Sequence, residues 1–179
     1  DAMLAAMRTL TDPAETGAVT LALPQDVQAE AADWPEELFA PRVWRIPRSA
    51  GDPDQLAELA RLIRASRRPV IVAGGGVKYS AAAHQLATFA DATGTPVAET
   101  QAGKGAIAHD APLAVGPIGA TGSSAANDLA ASADLLVGIG TRWSDFTTAS
   151  RTLLADQDAR VVTLNVSSAD AGRNGWPAL

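Results

Sequence analysis

Two spacings of apolar residues alternate along most of this chain. Val70-Ile71-Val72-Ala73 is a short run with no polar member, the pattern of a strand covered on both faces of a parallel sheet. Pro69 stops the preceding helix, and Gly74-Gly75-Gly76 lets the backbone turn sharply into the next one. Similar runs recur at Thr95–Ala98, Leu113–Val115, Leu135–Ile139 and Arg160–Asn165. Between them lie helical stripes. Asp52-Pro53 opens the first, with Asp as N-cap and Pro at the first helical position, and Leu56, Leu59, Ala60 and Ile63 mark its apolar face. Ala83, Leu86, Ala87 and Ala90 mark a second helix ending at Gly94, and Ala126, Leu129, Ala130 and Ala133 a third over about Ser123–Ala133. Thr147–Leu154 also reads as helical, and Ser167–Leu179, with Trp176-Pro177, as irregular. Strands alternating with helices predict an α/β fold: a doubly wound, mainly parallel sheet with helices on both faces. The alanine-rich helical faces suit close packing on such a sheet.

The first fifty residues break this rhythm. Ala2–Leu10 has a helical stripe (Met3, Ala6, Met7, Leu10) that Asp12-Pro13 ends, and Val19–Leu23 reads as a buried strand closed by Pro24. From Gln25 to Asp52 there is no period, and four prolines (24, 35, 41 and 47) punctuate a stretch far longer than an ordinary loop of about 4–6 residues. It reads as a linker, with Trp34, Phe39 and Trp44 expected to pin it by burial.

Composition narrows the possibilities. Of 179 residues, 47% are hydrophobic, enough for a real core, and a net charge of −6 argues against a nucleic-acid surface. No apolar run reaches the roughly 20 residues of a membrane span, and no signal peptide is recognisable at Asp1. The absence of cysteine removes disulfides, thiol catalysis and Cys-type metal sites, and fits a cytoplasmic protein. A start at Asp1 rather than methionine suggests an excised piece.

Candidate chemistry is sparse. The glycines after Val70–Ala73 begin like a dinucleotide fingerprint, but Tyr79 stands where its third glycine belongs, although Glu99 falls where the ribose-binding acid would. Gly103-Lys104-Gly105 lacks the rest of a phosphate-binding loop. His84 and His109 have no metal-ligand spacing. Arg61, Arg64, Arg67 and Arg68 crowd a helix end, where cations suit the dipole, and read as a solvated face. Trp143 and Asp145 are candidates to frame a pocket, but no nucleophile, base and orienter are legible together. What remains is a set of glycines at successive strand ends, where doubly wound sheets bind ligands.

Pro69–Gly76, Gly116–Gly122, Ala133–Arg142 and Val161–Val166 resemble, in order and spacing, the central domain of thiamine-diphosphate-dependent enzymes of the acetolactate synthase type. Gly17–Asp26 is similar to the strand that ends that family's pyrimidine-binding domain. Leu21–Glu30 and Glu99–Lys104 resemble a branch that hydrolyses a cyclic dione in inositol catabolism. The resemblance implies a Rossmann-like central domain over residues 53–179, truncated at its carboxyl end, a linker over 27–52, and a pyrimidine-domain remnant over 1–26.

It also implies what the whole enzyme would use. Thiamine diphosphate and magnesium would lie between the pyrimidine and pyrophosphate domains, which supply the activating glutamate and a Gly-Asp-Gly motif. This sequence has no Gly-Asp-Gly, so the segment alone is expected to be inactive and to bind neither. The missing domains are its expected partners, in a full-length homo-oligomer. In relatives that carry FAD or ADP, the nucleotide lies near the positions of Gly74, Gly75, Gly76, Thr100, Gly119, Thr121, Gly122, Gly140 and Arg142. Those are the candidate cofactor-binding residues. The alternatives are a carboligase or decarboxylase domain of the acetolactate synthase type, or a regulatory ADP- or FAD-binding module.

Overall fold

The computed structural model describes residues 1–154 and 158–171. They divide into two units, Asp1–Ser49 and Ala50–Leu179. In the first, α1 (Ala2–Thr11) ends where expected, followed by α2 (Gln25–Gln28) and a 3₁₀ turn at Glu36–Leu38. Val19–Leu23 is not a strand: an apolar run becomes one only with a ladder partner, and these residues pair with none of the described strands. Trp34, Phe39 and Trp44 are exposed rather than buried, because α2 and the 3₁₀ turn contain no buried residue that could found a core beneath them.

The second unit holds α3 (Pro53–Ala65), β1 (Pro69–Ala73), α4 (Gly75–Tyr79), α5 (Ala83–Thr93), β2 (Val97–Glu99) and β3 (Ala114–Pro117). It continues through α6 (Ser124–Ala131), β4 (Leu135–Ile139), α7 (Asp145–Thr148), a 3₁₀ turn at Thr152–Leu154, β5 (Arg160–Leu164) and α8 (Ser168–Ala171). The five strands form one sheet in the order β3-β2-β1-β4-β5, and every described pairing is parallel. The α/β fold expected from the alternating pattern is therefore present.

Side chains alternate across the sheet and build two cores. On one face Ile71, Ala73, Val97, Leu135, Val137 and Val162 pack with Leu62 of α3, Val77 of α4 and Leu86 and Ala90 of α5. On the other, Val70, Val72, Ala98, Leu136 and Val161 pack with Ala126 and Ala130 of α6, Ala133, Ile118 and Trp143. Helices thus cover both faces.

Local chemistry explains the boundaries. Asp52 caps α3 by accepting from the amides of Asp54 and Gln55, each at 3.0 Å. Leu62, rather than Leu56, is the most buried residue of that helix, so its inward face is turned from the predicted stripe toward Leu59, Leu62 and Ile63. At its end the arginines are exposed, as expected. Asp134, at the entry to β4, accepts from Ser66 Oγ and from the amides of Arg67 (2.8 Å) and Arg68 (2.9 Å), tying the α3–β1 turn to β4. Gly94, at φ +66°, caps α5 in the left-handed conformation that glycine adopts without steric cost.

Three expectations needed revision here. The Gly74–Gly76 turn leads first into the single-turn helix α4, not directly into α5. Thr147–Leu154 is not one helix, because Ala149, Ser150 and Arg151 all take positive φ and break it. Ser167–Leu179, expected to be irregular, begins with α8, and Trp176-Pro177 lies outside the described residues.

Candidate functional site at the carboxyl edge of the sheet

The strand order fixes where a site can be. From β1 the chain moves outward to β2 and β3, then returns to the other side of β1 with β4. The connections leaving β1 and β4 therefore run in opposite directions, which makes their carboxyl ends the switch point at which open α/β sheets bind ligands. Gly74–Gly76 follow β1, Thr100 follows β2, Gly119, Thr121 and Gly122 follow β3, and Gly140 and Arg142 follow β4. All nine predicted residues thus lie at one edge of the sheet, seven in loops and Gly75 and Gly76 at the start of α4.

Their surroundings differ. The Gly74 amide donates to Ile139 O at 2.8 Å and the Gly76 amide to Gly140 O at 3.1 Å. Two of the three glycine amides expected to face a phosphate are therefore spent on the end of β4. Thr100 is buried; its amide donates to Ala73 O at 2.9 Å, and its Oγ1 accepts from the Gly103 amide at 3.0 Å. The Gly119 amide donates to Asn127 Oδ1 at 2.9 Å, and Asn127 Nδ2 returns a bond to Gly119 O at 3.0 Å. The Gly122 amide donates to Gly119 O at 2.9 Å, and Thr121 is exposed. The Gly140 amide donates to Leu164 O at 2.8 Å. Arg142 Nε lies 3.0 Å from Asp170 Oδ2, so the cation of the site is an ion pair at the surface.

Other sequence candidates lie elsewhere or have other work. Glu99 Oε1 accepts from the amides of Gly105 (2.9 Å) and Ile107 (3.1 Å), so the acid at the ribose-binding position holds its own loop. Trp143 does not frame a pocket: it is 1% exposed, in the core, with Nε1 donating to Thr163 Oγ1 at 2.9 Å. Asp145 is exposed, and its Oδ2 accepts from Ser150 Oγ at 3.3 Å. His84, His109 and Lys104 are exposed. Sequence reading missed Asn127 and Asp170, and weighed Gly103 only as part of an incomplete phosphate-binding loop. A polar Asn next to the apolar stripe of α6 was the available signal for the first; nothing local marks Asp170.

No group of three His, Asp or Glu suited to a metal occurs among the described residues. Among the described residues of the carboxyl edge, Thr100 Oγ1, Glu99 Oε1 and Asn127 Oδ1 accept from neighbouring backbone amides, and Arg142 is paired with Asp170. Thiamine diphosphate with magnesium does not fit these described residues.

Comparison with known proteins agrees with this architecture. The sequence model of the family described as the thiamine pyrophosphate enzyme central domain matches residues 56–179. Proteins named 3D-(3,5/4)-trihydroxycyclohexane-1,2-dione hydrolase are similar across almost the whole chain. That of Geobacillus thermodenitrificans is 52% identical and that of Clostridium tetani 49% identical, each over 96% of this chain and 27% of the relative. That of Clostridium perfringens is 51% identical over 93% of this chain and 26% of its own length. The chain therefore spans about a quarter of the length of the curated relatives it matches. Among solved structures, a Mycobacterium smegmatis protein classed as thiamin diphosphate-dependent shares the fold, with a TM-score of 0.57 at 19% identity over 73% of this chain and 26% of that one. By its sequence over residues 56–179 and by its five-stranded parallel sheet, the chain belongs to the central-domain family of thiamine pyrophosphate enzymes.

Proposed function

We propose that this chain is the central segment of a thiamine-diphosphate- and magnesium-dependent hydrolase that opens the ring of a trihydroxycyclohexane-1,2-dione. The observation that carries the reading is the identity of about half the residues, over 96% of this chain, with relatives bearing that activity in their names. The cofactor supplies the carbanion chemistry in such enzymes, and the groups that hold and deprotonate it belong to the rest of the polypeptide. This segment contributes the sheet and the carboxyl-edge loops, framed by Gly74, Gly75, Gly76, Thr100, Gly119, Thr121, Gly122, Gly140 and Arg142. The full-length protein is read as a cytoplasmic homo-oligomer whose other domains pack beside this one.

The test is an assay of the full-length polypeptide with thiamine diphosphate, magnesium and the cyclic dione. Consumption of the dione, with appearance of a ring-opened acid and no carbon dioxide, supports the proposal. Release of carbon dioxide from pyruvate, or its ligation to a second 2-oxo acid, with no action on the dione would assign the segment to a carboligase or decarboxylase instead.

A further inference from the structure

Glycines at strand ends ordinarily leave room for a ligand. Here the empty side-chain positions point into protein. A Cβ on Gly74 would stand 2.1 Å from Gly140 O and 2.7 Å from Thr141 Cα. One on Gly76 would stand 2.6 Å from Gly140 Cα, and one on Gly140 would stand 2.5 Å from Gly76 Cα. On the other side of the β1 turn, a Cβ on Gly103 would stand 2.0 Å from Ala73 O and 3.1 Å from Gly74 Cα. Real Cβ atoms do not make such contacts with backbone, so each position admits glycine alone unless the loops separate. The loop after β2, the turn after β1 and the turn after β4 therefore touch backbone to backbone across three adjacent strands.

Hydrogen bonds close the same contacts. Gly74 N–H donates to Ile139 O, Gly76 N–H to Gly140 O, and Thr100 N–H to Ala73 O. A diphosphate approaching as in a dinucleotide crevice would have to break the first two before those amides could face it. Gly75 is the exception. Its Cβ would meet Ala102 Cβ at 3.3 Å and Ala102 O at 3.4 Å, contacts relieved by a shift of a few tenths of an ångström.

We infer that Gly74, Gly76, Gly103 and Gly140 form a backbone clasp that fills the switch-point crevice, so that this domain takes no nucleoside diphosphate, free ADP or the ADP half of FAD, at that place. The glycines serve packing between loops, and the domain acts there as a frame. This inference rests on the geometry of the clasp and stands whichever substrate the full-length enzyme acts on.

The test uses the full-length protein with two readouts. The first is the thermal midpoint of Gly75→Ala, Gly76→Ala and Gly140→Ala. Gly76→Ala and Gly140→Ala are expected to lower it by about 5 °C or more, or to prevent folding, while Gly75→Ala leaves it nearly unchanged. The second is calorimetric titration of the wild type and of Gly75→Trp, which projects a large side chain at the least crowded glycine of the β1 turn, with ADP and with FAD. No saturable heat, or binding that Gly75→Trp leaves intact and so lies elsewhere, supports the clasp. Saturable binding abolished by Gly75→Trp, or wild-type midpoints for both Gly76→Ala and Gly140→Ala, would overturn it.

Discussion

The indole of Trp143 occupies the space that Gly138 leaves open on β4: a Cβ at 138 would stand 2.5 Å from Trp143 Cζ2 and 2.8 Å from Thr141 Cγ2. A central strand with a glycine normally loses packing at that point, and here the largest fully buried side chain among the described residues restores it from the loop that follows. Trp143 holds φ +50° to reach this position, and its Nε1–H finds Thr163 Oγ1 on the adjacent strand.

Gly138→Ala is therefore expected to destabilise the protein although alanine is the better strand residue in most settings, because the methyl collides with a ring fixed on its other side. Trp143→Ala removes the ring and should cost about 3–5 kcal/mol. The pair should be non-additive: once the ring is gone, the alanine at 138 has room, so the double variant loses less than the sum. Denaturant midpoints of the two single variants and the double variant test this cycle, and simple additivity would refute the contact.

Asp134 makes the acid range informative. Partial burial alone would raise its pKa, but the hydrogen bonds from Ser66 Oγ and the amides of Arg67 and Arg68, with the Arg68 guanidinium nearby, hold it below the usual carboxylate value. A depressed folded pKa adds stability that is present above the unfolded value of about 3.9 and lost as the pH falls through the folded one. The wild type should thus lose stability below about pH 4, and Asp134→Ala should lose less over that interval because it has no carboxylate to protonate. At neutral pH the variant is expected to be about 1–2 kcal/mol less stable, since three donors lose a charged acceptor close to solvent. Equal acid sensitivity in the two proteins would remove Asp134 from the account.

The run Ala149-Ser150-Arg151, at φ +47°, +55° and +67°, is a second store of backbone strain. A left-handed L-residue costs roughly 1–2 kcal/mol, and a β-branched one fares worse. Ala149→Val should lower the thermal midpoint clearly. Ala149→Gly should leave it unchanged or raise it, because relief of strain offsets the extra freedom of glycine in the unfolded chain. Loss of stability in the glycine variant would show that the turn is not strained.

How much of this could be read from the sequence depends on the range over which each signal acts. Strands β1 and β4 announce themselves because strands buried on both faces must be apolar throughout, and Asp52-Pro53 marks α3 because a cap is a local requirement. Helix α4 escaped because Gly-Gly-Val-Lys-Tyr is shorter than the period that would reveal it. Trp143 was misplaced because Trp-Ser-Asp after a strand looks like a polar loop, and only Gly138, five residues earlier, hints that a ring is needed there. Val19–Leu23 looked like a strand because apolarity is local and pairing is not. At the carboxyl edge the glycines were legible as glycines; what fills the space beside Gly74 and Gly76 is backbone of the turn after β4, far along the chain, which no spacing rule reports.

Both cores are built from residues between Leu59 and Val162, wholly within the unit Ala50–Leu179. The unit Asp1–Ser49 contains a single buried hydrophobic residue, Ala6, and exposes Leu23, Val27, Trp34, Phe39, Val43 and Ile46. A chain beginning at Ala50 should therefore keep the cooperative unfolding and the midpoint of the 179-residue chain, because nothing removed belongs to either core. The exposed apolar side chains should act on association rather than on stability, since apolar groups left in water favour contact between molecules. Light scattering during size-exclusion chromatography should then show more self-association for the chain from Asp1 than for the chain from Ala50, increasing with concentration. If the shorter chain melts lower, residues 1–49 contribute to the fold of the sheet domain; if both chains are monomeric at all concentrations, the exposed residues do not form an adhesive surface.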